Sequence, residues 1–199
     1  MGLISNGTTI FDAGAMETGG GAMTLIKKLT ASNASTLKFQ DGHADVVLDS
    51  TYKEYLFTFA NIHADTRNAE WTVGFRDGGT NYDGQKTSTF FQSFHYEADT
   101  NAALGYRTEK ELTEEETVQL LTFENHEDAD MNLAGSLTLF NPGQATFVKH
   151  YTARVQFSNA GFSQECFTGG YSVGAAIDGV EFKMASGTFD GVVCMYGIA

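Results

Sequence analysis

The chain has 199 residues, 12 of them basic and 25 acidic, which gives a formal charge of −13 and a pI near 4.6. That balance argues against a basic groove for phosphates, on which affinity for nucleic acid rests, and against docking to an anionic membrane surface. The length suits one domain with a proper core, and a hydrophobic content of 42 % argues against disorder.

The N-terminus lacks the basic and apolar regions of a signal peptide, and no apolar run approaches membrane-spanning length. Cys166 and Cys194 lie in apolar, strand-like settings, where free thiols behave as small hydrophobes. Two cysteines make no disulfide framework, so cytosolic synthesis with reduced thiols is the expectation.

Residues 1–22 read as an extended N-terminal arm. Leu3, Ile4, Ile10 and Phe11 are apolar, but glycines at 2, 7, 14 and 19–21 interrupt any period. Two readings stand side by side: an unordered terminus, or an anchor that orders those four side chains against a subunit or docking surface.

From residue 23 to 199 the pattern is that of strands. Met23–Leu29 and Thr36–Phe39 are short candidates separated by the turn-prone run 32–35. In Tyr52–Ile62, Tyr55, Phe57 and Phe59 fall on one face; Glu70–Phe75 follows, then a glycine-rich loop over 77–84. Gln85–Tyr96 is a long strand with Phe90, Phe94 and Tyr96 on one side.

Residues 97–130 carry 11 of the 25 acidic residues and read as a solvated rim. Thr113-x-x-Glu116 has the form of a capping box, yet Thr117–Phe123 alternates, and a strand after a short turn is the expectation. The clearest pattern runs from Leu133 to Phe157. Leu133, Leu137 and Leu139 share one face of a first strand; Phe147, Tyr151, Ala153, Val155 and Phe157 share one face of a second. Asn141-Pro142-Gly143 lies between them, with proline presetting φ and glycine accepting a positive φ. Glu165–Gly174, Ala176–Met184 and Thr188–Ile198 complete about nine to eleven strands with hardly a helix. The expected architecture is all-β, an antiparallel β-sandwich of jelly-roll type behind the arm.

Chemistry is sparse. The histidines at 43, 63, 95, 126 and 150 do not fall in a two-ligand spacing, and no nucleophile elbow, P-loop or dinucleotide fingerprint occurs. Neither a catalytic residue nor a cofactor is expected. Asp77, Asn81 and Asp83, and likewise Asp128, Asp130 and Asn132, open like calcium loops. Their twelfth positions are Ser88 and Leu139, so turn chemistry is preferred and no metal is assigned. Trp71 and Tyr82, near and within the 77–84 loop, are the candidates for stacking on a glycan, although for a single tryptophan a place in the core is the preferred reading.

The segment SLTLFNPGQATFVKHYTA (136–153) is similar to one found in small virion structural proteins of tailed phages, especially those of marine bacteria and cyanobacteria. LDSTYKEYLFTFANIHADT (48–66), TSTFFQSFHYEAD (87–99) and AIDGVEFKMASGTFDGVVCMYGI (176–198) resemble the same proteins, in the same order. In that family Asn61-Ile62-His63 usually continues into proline; here Ala64 takes the place. The resemblance implies a virion component, decoration or tail-fibre-like, and no catalytic residue. The expectation is a non-enzymatic protein of the particle exterior, a capsid decoration (cement) protein or short appendage. It would be a homotrimer bound to other virion proteins, without nucleic acid or membrane. The alternative is a receptor-binding tail-fibre tip that recognises host surface glycan.

Overall fold

A computed structural model describes residues 3–5, 8–12, 15–16, 22–172 and 174–199, the first three segments as backbone only. The arm contributes β1 (Leu3–Ser5), β2 (Thr8–Asp12) and β3 (Ala15–Met16). The body contributes β4 (Met23–Ala34), β5 (Leu37–Gln40), β6 (Glu54–Ala64), β7 (Trp71–Arg76), β8 (Lys86–Tyr96) and β9 (Ala102–Tyr106). After these come β10 (Gln119–Leu120), β11 (Leu133–Phe140), β12 (Lys149–Asn159), β13 (Phe162–Ser172), β14 (Gly179–Met184) and β15 (Phe189–Ile198). No helix occurs among the described residues, and every strand pair is antiparallel, so the chain is all-β.

The arm strands pair in the order β1-β2-β3, with Leu3 opposite Phe11 and Ile4 opposite Thr9. The interrupting glycines at 7 and 14 fall between strands in the sequence, which is why broken periodicity hid them. The side chains of Leu3, Ile4, Ile10 and Phe11 lie outside the described residues.

The body holds an eight-stranded sheet, β4-β15-β6-β11-β12-β13-β8-β9, and a four-stranded one, β10-β7-β14-β5. Their facing sides meet in an aromatic cluster. The Phe182 ring of β14 lies 5.4 Å from Phe57 and 5.0 Å from Phe59 of β6, and stacks on Trp71 of β7 at 5.8 Å. Farther along, Phe75 of β7 meets Tyr151 of β12 at 5.1 Å. Edge-to-face aromatic pairs add to the large apolar area each ring removes from water.

Four strands cannot cover eight. Beyond β12 the inner side of the larger sheet is covered by the acidic segment instead of by strands. There the Leu112 N–H donates to Ser88 Oγ (3.0 Å) and Phe123 packs on Phe90 (5.6 Å); at the border Tyr151 of β12 donates to Gln119 Oε1 of β10 (3.3 Å). The outer side of the small sheet is covered too. Residue 82 passes so close to Gly74 that a Cβ there would sit 2.7 Å from the Tyr82 carbonyl oxygen.

The alternation read from β11 and β12 holds: Leu133, Leu137, Leu139, Tyr151, Val155 and Phe157 are buried and His150, Thr152, Arg154 and Gln156 exposed. The expected turn at Asn141-Pro142-Gly143 is present, the Gln144 N–H donating to the Asn141 carbonyl (3.2 Å), but it does not join the two strands directly. Pairing stops at Leu139 and Tyr151, the connection spans 141–148, and Phe147 is 69 % exposed in it. Asn141, not Gly143, takes the positive φ (52°); Gly143 is needed because a Cβ would meet the Asp49 carbonyl carbon at 2.5 Å.

Two local details differ from the sequence signals, although β10 (Gln119–Leu120) is the strand expected within 117–123. β4 runs past Leu29 into the turn-prone run and ends at Ala34, since Asn33 accommodates a positive φ of 51° within the strand and its N–H donates to Asp190. Thr113-x-x-Glu116 caps no helix, because Glu114 adopts a positive φ and Glu115 pairs with Lys86 through the backbone.

Val155 is wholly buried and Thr152 exposed on the same strand. Val155→Asp is expected to cost about 3–5 kcal/mol in urea unfolding, from an unpaired buried charge. Thr152→Asp is expected to stay within about 0.5 kcal/mol of wild type.

Candidate functional site

Where the larger sheet overhangs its partner, its inner side ends in a cleft of about 270 Å³. Period-two geometry places Gln92, Phe94 and Tyr96 of β8 on its floor. The register sets Phe94 opposite Gln164 and Tyr96 opposite Phe162 on β13. Arg107, just after β9, and Phe123, from the covering segment, form the wall.

The rings make a continuous apolar surface: Phe94 and Tyr96 are 5.7 Å apart edge-to-face, and Tyr96 and Phe162 are 5.3 Å apart. Against it stands a polar trio. Gln92 and Gln164 are each only 4 % exposed, and their amides touch. With the Gln92 amide turned so that its oxygen faces Arg107, the guanidinium Nε donates to it at 2.8 Å. The Arg107 guanidinium also lies over the Phe123 ring, 5.4 Å from its centroid. The arrangement offers ring faces for C–H groups and planar amide and guanidinium edges for hydroxyl or carboxylate oxygens. The alternation of β8 placed Phe94 and Tyr96 together in sequence; no sequence signal marked Gln92, Gln164 or Arg107.

The residues singled out in sequence for glycan contact fall elsewhere. Trp71 is 0 % exposed, wedged among Phe59, Phe182 and Phe189, and has no face left for a sugar. It is a core residue because β7 is covered on both sides. Tyr82 is half-buried: its ring lies beside Gly179 with the Lys38 ammonium 5.0 Å from its centroid, and burial raises its phenol pKa.

Near the 77–84 loop, Asp178 is engaged in a two-pronged ion pair with Arg76 (2.8 and 2.7 Å) and accepts from the Gly78 N–H. Among the described residues the one group of three metal-ligating side chains is His126, Glu127 and Asp128. His126 Nδ1 lies 3.2 Å from Asp128 Oδ2 and 3.6 Å from Glu127 Oε2, while its Nε2 is buried without a partner. Three consecutive residues of one loop, with Asp128 exposed, present two carboxylates to one imidazole nitrogen. A metal-bound histidine ordinarily donates its second N–H to an oxygen, and this one has none.

A larger hollow of about 580 Å³ lies under the β11–β12 connection, lined only by residues of 140–150, among them the exposed Phe147 and Val148. No family model matches the chain, and neither a curated protein nor a solved structure does.

The overhang also buries two lysines in one cross-strand row, Lys149 and Lys86 flanking Ser172. The Lys149 ammonium donates to the Phe147 and Gly174 carbonyls (2.6 Å each), and that of Lys86 to Gly84. Burial holds Lys86 down at about 8 from an ordinary 10.5. Between those pH values the unfolded chain carries a proton that the fold has shed, so this group makes stability rise with pH from about 8 to 10.5. Lys86→Met is therefore expected to stabilise the fold by roughly 1–2 kcal/mol at pH 7, with the gain shrinking towards pH 10. Urea unfolding of both proteins from pH 7 to 10 measures this difference; a gain independent of pH would contradict it.

Proposed function

We propose that the chain is a non-enzymatic structural protein on the exterior of a tailed-phage particle, a decoration protein or a short head or tail appendage. The observation that carries this reading is the division of labour along the chain. The buried core among the described residues is drawn from Ala31 to Met195, while three small strands of the arm precede it and pair in order with one another. A sandwich presenting loops and an arm bearing Leu3, Ile4, Ile10 and Phe11 is the plan of a tethered surface module. The resemblance of residues 48–66, 87–99, 136–153 and 176–198 to phage virion proteins points the same way.

We further infer that the sandwich is of jelly-roll type. With β8, β9, β12 and β13 set aside, eight strands remain in the body. Numbered in chain order, they stand as first-eighth-third-sixth in one sheet and second-seventh-fourth-fifth in the other. That is the winding of a jelly roll, a plan shared by capsid and lectin domains. The omitted strands are two insertions, β8–β9 and β12–β13, and together they make the overhang. Fold by itself assigns no role, so the virion reading rests on the arm and the resemblance.

In this reading the outer side of the overhang supplies the contact of a homotrimer. Phe91, Leu104, Tyr106 and Tyr171 are all at least 40 % exposed there, an apolar surface suited to a subunit contact. A second reading, a tail-fibre tip recognising host glycan, is favoured by the aromatic cleft and no longer by Trp71 or Tyr82.

Reconstruction of the intact particle tests the leading reading, with the sandwich expected on the outer shell in threefold clusters. Particles purified without this chain would sink it. Deleting residues 1–18 is expected to leave a folded domain that no longer docks on particles lacking it. Loss of the circular-dichroism signature of the fold in that deletion would contradict the anchor role.

A further inference from the structure

We propose that the cleft between the ends of β8 and β13 binds the pyranose ring of a saccharide, with Phe94, Tyr96 and Phe162 taking its C–H face and Arg107, Gln92 and Gln164 its oxygens. The inference rests on the cleft alone and stands whether the chain sits on head or tail.

The chemistry of the lining selects the ligand. A purely apolar occupant would be pressed against two buried amides and a guanidinium and would deny them water, at the cost of any desolvated polar group without a partner. A purely polar occupant would gain nothing from three rings that pack against one another along the floor. A pyranose has both characters on opposite sides, a patch of axial C–H bonds and a rim of hydroxyls. A phosphate polymer is disfavoured by the charge of −13.

The volume agrees. About 270 Å³ lies near the small end of ligand pockets, ~300 Å³ and upwards, which is room for one ring of a chain whose neighbours remain in solvent. The polar groups are also held in place: Gln92 by the Arg107 guanidinium, Gln164 by the strand register, and Arg107 by its seat over Phe123. Their donors are set before a ligand arrives, so little side-chain freedom is lost on binding.

The gap exists for a topological reason. The four-stranded sheet stops short, and the covering segment crosses β8 and β13 only as far as Phe123. The inner side of both strand ends is left as an apolar surface that neither layer covers.

Saturation-transfer NMR of the full chain with methyl β-D-glucopyranoside, methyl β-D-galactopyranoside and methyl β-D-glucuronide tests the proposal. At least one probe is expected to receive saturation, strongest on its ring C–H protons. Affinity is expected to fall about tenfold or more in Arg107→Met, which keeps the stem over Phe123 and removes the donors. Tyr96→Ala, at a half-exposed strand end, is expected to lose binding with an unchanged melting temperature. No saturation of any probe, or binding that survives both substitutions, would overturn the proposal. Should Tyr96→Ala fail to fold, Arg107→Met decides alone.

Discussion

Phe182 is the contact on which the body of this protein depends. Its ring touches Phe57 and Phe59 from the larger sheet and Trp71 from its own, and Phe39 lies 6.3 Å away. Two layers become one core at this point, and everything outward from it is an answer to a mismatch. The small sheet has four strands and the large one eight. The half centred on Phe182 is dry and aromatic. The other half is roofed by a segment with almost no regular structure, which brings backbone groups and polar side chains into contact with a sheet interior.

That mismatch explains why the polar residues collect where they do. Lys86, Ser88, Gln92, Lys149, Gln164, Thr168 and Ser172 all face inward, and all sit on β8, β12 or β13. An irregular roof leaves carbonyls and N–H groups unpaired unless the strands below supply partners, as Ser88 does for Leu112; Lys149 does the same for Phe147 and Gly174 of the adjoining connections. Where the roof ends, the same inward polar positions meet solvent and aromatic rings instead of backbone, and a cleft results.

The sequence was readable where one side of a strand is dry and the other wet. β12 from Tyr151 to Phe157 and β6 from Tyr55 to Phe59 announce themselves through bulky side chains at every second position. Reading failed where burial follows another rule. Trp71 is in the core, as preferred for a single tryptophan, but its strand is covered on both sides, so Thr72 and Gly74 are buried too and no alternation marks it. Lys149 and Lys86 are buried because carbonyls await them, a fact set by the backbone conformation at residues 84, 147 and 174 and not by any side-chain pattern. Phe147 looked like the first inward residue of β12, but the connection over 141–148 keeps it outside. As for the candidate site, Phe94 and Tyr96 were visible as one face of one strand. Gln92 and Gln164 were not, since an inward glutamine has no pattern of its own.

Native-state hydrogen exchange tests the uneven sandwich most directly. A core centred on Phe182 predicts that amides of β6, β14 and β15 exchange only through global unfolding. Those of β9 and of the ends of β8 and β13 around the cleft are predicted to exchange through local opening at a much lower free energy. Equal protection across all eight strands of the larger sheet would contradict the account, because it would mean that the overhang is as firmly packed as the core.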